Sequence, residues 1–96
     1  MPLTDQEIES KLHSLSGWQR TQADAGQAIE KTFNTGSFLN GLGFLTRVAV
    51  LAEGMNHHPD VTFTYPRVTL QLTTHDAGGL SDKDFELAAR IDALKC

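Results

Sequence analysis

Two adjacent histidines end a long apolar segment, and they are the residues of this chain best placed to do chemistry. His57 and His58 are followed at once by Pro59, and Glu53 lies four residues before His57. A free imidazole has a pKa of about 6.5, so such rings can give up or take a proton near neutral pH. Paired histidines at a corner of the chain therefore suit proton transfer better than they suit a core.

Two further titratable residues could join this pair. His75 follows one predicted hairpin later, in the polar phase of a strand or just beyond it, and Asp84 lies near the start of the last predicted helix. Asp84 could equally be a plain third helix residue, which the positive helix end favours by roughly 0.3–1 kcal/mol. Glu53 could be an ordinary solvated residue, although the negative end of its helix disfavours a carboxylate there.

Several kinds of site could use these residues. Three imidazoles and a carboxylate suit Zn²⁺, but adjacent histidines rarely direct both rings at one ion. Nucleophilic catalysis is poorly supported, because no Gly-x-Ser-x-Gly occurs and the only cysteine, Cys96, is the last residue. General acid–base catalysis without a cofactor suits histidines that carboxylates orient, for example in an elimination that releases a proton and a hydroxyl. The histidines could also be unrelated surface residues.

Length and composition favour one small domain over residues 1–96. A chain of 96 residues closes only a small core, so self-association is a reasonable expectation. The formal net charge of -4, without a Lys/Arg-rich run, argues against direct nucleic-acid binding. No apolar run approaches the ~20 residues of a membrane span. The chain start resembles no signal peptide, and the single Cys96 allows no intrachain disulfide. We therefore expect a soluble cytoplasmic protein.

The first part of the chain predicts a helix and a hairpin. Thr4 and Glu7 have capping-box spacing, and apolar residues then follow at helical intervals. A turn signal at Asp24-Ala25-Gly26 separates two strand patterns. Trp18, near the first strand, is either a core residue or a flat platform for a flat ligand. The predicted ranges are about 4–15 for the helix, and 18–23 and 27–34 for the strands.

The longest apolar stretch, from Phe38 to about Asn56, predicts a helix with two apolar stripes. The first stripe contains Phe38, Leu42, Leu45, Ala49 and Ala52, and the second contains Phe44, Val48, Leu51 and Met55. One sheet face needs less apolar surface than this, so we expect the second stripe to pack against another helix or another subunit. Gly41 and Gly43 weaken the helix by roughly 1 kcal/mol each relative to Ala, but they permit the close approach of a neighbour.

The second half of the chain predicts another hairpin and a last helix. Its two strands run over about 61–65 and 68–73, and each alternates apolar with polar residues. Ser81 and Asp84 then have capping-box-like spacing ahead of an amphipathic helix. The order helix-ββ-α-ββ-α indicates an α+β fold with a four-stranded antiparallel sheet and helices packed on one face.

The spacing of the titratable residues resembles the signature of the pterin-4a-carbinolamine dehydratases, a family also known as the dimerization cofactor of a homeodomain transcription factor. The shared pattern is Glu53, His57-His58-Pro59, Tyr65, His75 and Asp84. Upstream it extends through Gly43-Phe44-Leu-Thr-Arg47-Val-Ala49, Phe38 and the Gly17-Trp18 pair. The resemblance thus covers nearly the whole chain. Ala77 differs from the cysteine of some animal members, so no cysteine chemistry is implied here.

This resemblance implies dehydration of 4a-hydroxytetrahydropterin to quinonoid dihydropterin and water, which recycles the pterin that aromatic amino-acid hydroxylases oxidise. It implies that His57, His58 and His75 surround the pterin ring. One of them would protonate the departing 4a-hydroxyl, and another would accept the N5 proton. Four residues would orient the histidines, hydrogen-bond or cover the pterin, or hold the corner: Glu53, Asp84, Trp18 and Pro59.

The resemblance also implies subunits joined through sheet edges and helices into homodimers or homotetramers. The surplus apolar surface of the long helix agrees with this expectation. We expect no metal and no other cofactor. An alternative function is a regulatory module that stabilises a protein partner, such as an aromatic amino-acid hydroxylase, through the same helical face.

Overall fold

Helices and strands alternate along the chain in the predicted order. The computed structural model describes residues 2–94. The prediction that Cys96 forms no intrachain disulfide concerns a residue outside the described residues, as Met1 and Lys95 also are. The elements are α1 Asp5–His13, β1 Gln19–Ala23, β2 Gly26–Asn34, α2 Phe38–Met55, β3 Asp60–Thr64, β4 Arg67–Leu72, a 3₁₀ turn His75–Ala77 and α3 Asp82–Asp92. The predicted α+β class and the helix-ββ-α-ββ-α order are confirmed.

The four strands form one antiparallel sheet in the order β1-β2-β4-β3. Each hairpin pairs its own two strands, and the hairpins are joined because β2 pairs with β4. Successive strand residues point to opposite faces of a sheet. Val68, Leu70 and Leu72 of β4 are accordingly buried, while Thr69 and Gln71 between them lie on the open face. This polar face borders the candidate site.

Capping boxes define where α1 and α3 begin, and Ser37 caps α2 by accepting the N–H of Asn40 at 3.0 Å. At α1, the Thr4 hydroxyl accepts the N–H of Glu7 at 3.2 Å, and the Glu7 carboxylate accepts the N–H of Thr4 at 2.9 Å. The hydrogen bond from the Thr4 backbone lowers the pKa of Glu7 below its ordinary value. At α3, the N–H of Ser81 donates to the Asp84 carboxylate at 2.9 Å. Both predicted capping boxes are therefore present.

The core lies between the sheet and the helices, and all three helices contribute to it. Ile8 of α1, Phe44 and Val48 of α2, and Leu87 and Ile91 of α3 are each at most 2% exposed. Burial of one such side chain stabilises the fold by about 1.5–3 kcal/mol. No helix within residues 2–94 combines the length and the apolar character needed to cross a membrane.

The two stripes of α2 divide differently from our expectation. The second stripe is buried in the chain's own core, to which α3 also contributes, through Phe44 and Val48. The first stripe is divided: Ala52 is 2% exposed in the core, whereas Leu42 is 44% exposed and Phe38, which stacks on Phe63 with ring centroids 5.2 Å apart, is 58% exposed. Gly41 lets α2 approach Phe63 of β3 closely, while Phe38 and Leu42 of the first stripe remain partly exposed.

Two glycines are required by close approaches. A Cβ on Gly41 would lie 2.5 Å from the Phe63 ring, so the predicted close approach of a neighbour is confirmed at this position. A Cβ on Gly43 would meet no atom of the described chain within 4 Å. Gly26 has φ +132°, and a Cβ there would collide with the carbonyl of Gly78. The β1–β2 turn therefore lies directly against the loop that follows β4.

Candidate functional site

The end of α2 fixes the two adjacent histidines. Asn56 adopts the left-handed conformation with φ 50°, and the N–H of His57 donates to the carbonyl of Ala52 at 3.0 Å. Such a cap satisfies carbonyls that the last helical turn leaves free. Pro59 then restricts the backbone of His58 as the chain enters β3. Both histidines therefore lie at a corner whose backbone is set by the helix cap and by Pro59.

A second corner, after β4, places His75. Thr74 and Gly79 exchange backbone hydrogen bonds of 3.0 and 3.3 Å, which close a short loop. Within it, His75 begins the 3₁₀ turn, and the N–H of Gly78 donates to the carbonyl of His75 at 3.0 Å. His75 therefore lies just beyond the strand, which is one of the two positions predicted for it.

The two corners line one cleft with a volume of about 400 Å³. Ligand pockets in proteins typically measure about 300–1,000 Å³. His57, His58 and Pro59 contribute from the first corner, and Thr74 and His75 from the second. The structure thus brings the three predicted histidines and Pro59 together.

The buried carboxylate of Asp84 hydrogen-bonds the His57 ring. Nε2 of His57 lies 2.6 Å from Oδ1 of Asp84, whose side chain is fully buried. The other oxygen of Asp84 accepts the N–H of Ser81 at 2.9 Å and the hydroxyl of Thr74 at 2.8 Å. An ionised carboxylate can only accept hydrogen bonds. Nε2 of His57 therefore carries a hydrogen, and Nδ1 is the nitrogen left to exchange a proton.

Asp84 fulfils both interpretations that its sequence position allowed. It is the third residue of α3 and completes the capping box with Ser81. It also orients an imidazole that is only 9% exposed. A buried charge is costly unless hydrogen bonds and charge partners satisfy it, and here three donors do so.

Glu53 and His58 form a second pair on the exposed rim. Nε2 of His58 donates to Oε2 of Glu53 at 2.5 Å, and the two side chains are 56% and 75% exposed. Exposed ion pairs typically contribute about 0–1 kcal/mol. Glu53 borders the neighbouring apolar groove rather than the cleft itself. It therefore reaches the site through His58.

Trp18 is not brought to the site, and the expectation that it covers a ligand is corrected. Its side chain is 6% exposed in the core, and its indole N–H donates to both carboxylate oxygens of Asp92 at 3.0 and 3.1 Å. The centroids of the Trp18 and Phe33 rings lie 6.1 Å apart, and the two rings pack edge to face. Of the two interpretations of Trp18, the core residue is the one observed, because Asp92 gives the buried N–H a partner.

Several residues that line the cleft were not identified by the sequence patterns. They are Asn56, Asp60, Gln71, Thr73, Thr74, Asp76 and Lys83. The alternation of β4 could have indicated Gln71 and Thr73, since it places them on the polar face that leads to His75. Thr74 is recognisable only through its contact with Asp84, ten residues further along the chain.

The arrangement is suited to proton exchange. One imidazole has a buried carboxylate on one nitrogen, and two further imidazoles lie in the same cleft. Within residues 2–94, no three His, Cys, Asp or Glu side chains are grouped so that they could hold a metal ion. Groups that donate and accept protons at short range are what general acid–base catalysis requires.

Comparison with known proteins places this site in a family. A family model described as "Pterin 4 alpha carbinolamine dehydratase" matches residues 1–94. The chain belongs to this family. A relative from Roseiflexus sp. (strain RS-1) is 50% identical over 92 residues, which are 96% of this chain and 95% of that protein. One from Sulfurisphaera tokodaii is 48% identical over 92 residues, with the same coverage. Each is named "Putative pterin-4-alpha-carbinolamine dehydratase".

Solved structures show the same fold. A transcriptional coactivator/pterin dehydratase from Brucella melitensis matches with a TM-score of 0.88 and 33% identity, covering 97% of both chains. A pterin dehydratase-like protein described as a RuBisCO assembly factor in the alpha-carboxysome matches with a TM-score of 0.67 and 26% identity, covering 80% of this chain and 87% of that one. The predicted family resemblance is confirmed.

Proposed function

We propose that this pterin carbinolamine dehydratase family member converts a 4a-hydroxytetrahydropterin to quinonoid dihydropterin and water by histidine general acid–base catalysis. The observation that carries the proposal is the convergence of His57, His58 and His75 on one cleft, with His57 held by a buried carboxylate. In the cell, the reaction would take place in the cytoplasm and recycle the pterin that aromatic amino-acid hydroxylases oxidise.

The proposed reaction needs two protons to move and no oxidant. The bond between C4a and the hydroxyl oxygen breaks, and its electron pair leaves with the oxygen. The hydroxyl takes a proton from a protonated imidazole and departs as water. A second imidazole accepts the N5 proton while a double bond forms between N5 and C4a. The two imidazoles then return to their starting states by exchange with solvent.

His57 suits the role of proton acceptor in this scheme. Its Nε2–H is committed to Asp84, so a proton from N5 of the pterin would go to Nδ1. The carboxylate of Asp84 then compensates the positive charge of the ring. His58 and His75 remain for donation to the leaving hydroxyl, and Glu53 orients His58.

Single substitutions of the histidines test this proposal. His57→Ala, His58→Ala and His75→Ala should each slow carbinolamine decay, and loss of one acid–base group typically costs about 10²–10⁴ in rate. The assay is stopped-flow measurement of carbinolamine decay, with the spontaneous dehydration subtracted. His13→Ala is the matched control, because His13 is exposed on α1 outside the cleft. Wild-type rates in all three variants would refute the mechanism.

We also propose that the outer face of α2 joins copies of this chain into a homodimer or homotetramer. Its exposed apolar side chains are Phe38, Leu39, Leu42 and Val50, between 44% and 78% exposed. Val61 of β3, which is 47% exposed, lines an apolar groove together with Leu45 and Ala49 of α2. Single exposed apolar residues are ordinary, whereas a contiguous group marks an interaction surface. The same face supports the second candidate function, binding of an aromatic amino-acid hydroxylase or a regulatory protein. The coactivator and assembly-factor descriptions of the two solved relatives favour that candidate.

Light scattering coupled to size-exclusion chromatography distinguishes self-association through this face from binding of another protein. If copies of the chain cover the face, the wild type should be an oligomer and Leu39→Glu should be a monomer. Ser10→Glu, on the exposed side of α1, is the control and should leave the mass unchanged. A monomeric wild type that binds a purified hydroxylase, and loses that binding in Leu39→Glu, would favour the second candidate instead.

A further inference from the structure

The cleft between the histidines adjoins a second cleft on the open face of the sheet. The second cleft has a volume of about 450 Å³ and shares Asp60, Gln71, Thr73 and His75 with the first. Its outer end is the β1–β2 turn at Asp24, which does not line the first cleft. Because the two clefts have four lining residues in common, they adjoin, and the second lies within reach of a ligand held by the histidines.

The fold explains how this second cleft is built. Asp60 pairs with Gln71 across β3 and β4, so both lie at the same end of the open face. The close approach of Gly26 to Gly78 brings the β1–β2 turn against the loop that carries His75. The turn residue Asp24 therefore closes the end of the depression opposite Asp60.

The chemistry of the second cleft differs from that of the first. Its polar side chains include the carboxylates of Asp24 and Asp60, and none of the described residues that line it is Lys or Arg. The first cleft, in contrast, includes Lys83. The hydroxyl of Thr73 donates to the carbonyl of Gln27 at 2.8 Å, so it presents lone pairs to a ligand. Such acceptors bind hydroxyl groups and repel anions.

We propose that the second cleft is the subsite for the substituent at C6 of the pterin, and that Asp24 and Asp60 are its specificity-determining residues. They select an uncharged, hydroxylated chain, whose hydroxyls donate to the carboxylates, over a chain that ends in a carboxylate or phosphate. This inference rests on the proposed function, because it requires the pterin ring to lie between the histidines.

Binding of three stable pterins to the purified protein tests the subsite. We would titrate 6-(1,2-dihydroxypropyl)pterin, 6-methylpterin and 6-carboxypterin and follow pterin fluorescence. The dihydroxypropyl compound should bind about tenfold more tightly than the methyl compound, since hydrogen bonds to a charged acceptor are among the stronger ones. The carboxylate compound should bind about tenfold more weakly than the methyl compound at low salt, and less so at high salt.

Three substitutions test whether Asp24 and Asp60 cause the preference for the dihydroxypropyl compound. Asp24→Asn, which keeps a turn-forming residue, and Asp60→Asn should each reduce the preference for the dihydroxypropyl compound to about threefold and strengthen binding of 6-carboxypterin. Asp76→Asn is the matched control, because Asp76 lines only the first cleft. It should change the affinities for the dihydroxypropyl and methyl compounds by the same factor.

The outcomes separate the subsite from the reaction. Equal preferences in the wild type, Asp24→Asn and Asp60→Asn would overturn the subsite, and so would binding of 6-carboxypterin as tight as that of 6-methylpterin. In either case, turnover of a 6-methyl carbinolamine would leave the proposed dehydration standing. A folded protein that neither binds 6-methylpterin nor accelerates dehydration would refute the proposed function and the subsite with it.

Discussion

Replacement of Asp84 by Asn should reverse the tautomer of His57 while it leaves the fold nearly intact. The carboxylate accepts one hydrogen bond from His57 on Oδ1 and two, from Ser81 and Thr74, on Oδ2. In Asp84→Asn, the amide oxygen can keep the two donors on the Oδ2 side. The amide NH₂ then faces Nε2 of His57, which must become an acceptor. The hydrogen of the neutral ring moves to Nδ1, the nitrogen that we propose accepts the N5 proton.

The magnitudes distinguish Asp84→Asn from Asp84→Ala. Asp84→Ala removes the acceptor of three donors at a position that is 0% exposed, but the Thr74 hydroxyl can still turn to Oγ of Ser81, 2.7 Å away. Two donors are then left without a partner, and since each costs about 1–3 kcal/mol, the free energy of unfolding should fall by about 2–6 kcal/mol. Asp84→Asn should cost only about 1 kcal/mol, because two of the three hydrogen bonds persist and the third re-forms with the amide as donor. Its dehydration rate should nevertheless fall by about 10²–10⁴, as for loss of a general base.

Three measurements test this reasoning together. Urea denaturation gives the free energy of unfolding, stopped-flow kinetics gives the rate above the spontaneous background, and ¹⁵N chemical shifts of the imidazole identify its tautomer. Asp92→Asn is the control, because the partly buried Asp92 carboxylate binds Trp18 and Lys31 away from the cleft. This variant should be less stable than the wild type but should keep the same dehydration rate per folded molecule. An active Asp84→Asn protein whose His57 still carries its hydrogen on Nε2 would refute the argument.

Three further predictions concern the scaffold and the exposed rim. Gly41→Ala should lower the free energy of unfolding by about 1–3 kcal/mol, because the added methyl group would collide with Phe63. Gly43→Ala should raise the free energy of unfolding by up to about 1 kcal/mol, because the space around Gly43 is open. Equal effects of the two substitutions in urea denaturation would contradict this contrast. Glu53→Ala should change stability by less than about 1 kcal/mol yet slow dehydration, because His58 loses its orienting partner; an unchanged rate would remove Glu53 from the site. The pKa of Glu7 is lowered by its backbone hydrogen bond, so its stabilising effect is present above the ordinary value of 4.5 and is lost as the pH falls through the lowered value. Glu7→Gln should therefore flatten the acid side of the profile of Tm against pH, and an identical acid limb would contradict that contribution.

The order of the elements could be predicted because each element carries its own local signal. The capping boxes at Thr4 and Ser81 mark where two helices begin, and they are present as predicted. Strict alternation marks β4, whose Val68, Leu70 and Leu72 are each 0% exposed. Signals of this kind depend on a few neighbouring residues, so they survive without knowledge of the packing.

The features that could not be predicted depend on residues distant in the sequence. The burial of Trp18 depends on Asp92, 74 residues away, which satisfies its indole N–H. The outward face of α2 depends on where Gly41 meets Phe63, because the two stripes are similarly apolar and neither is marked as the inner one. In both cases a tertiary contact selects between interpretations that the local sequence pattern leaves open.

A single carboxylate joins the stability of the fold to its proposed chemistry. Asp84 caps α3, binds Thr74 at the end of the second hairpin, and holds His57 at the end of α2. The Thr74 hydroxyl also lies 2.7 Å from Oγ of Ser81, but within the described residues it is the Asp84 carboxylate that hydrogen-bonds the His57 ring. An opening of the first turn of α3 would break all three links at once, and His57 would lose its defined tautomer while the core persisted. Activity should therefore fall at lower urea concentrations than those that unfold the sheet. Coincident loss of the two would mean that the carboxylate network opens only with the whole domain.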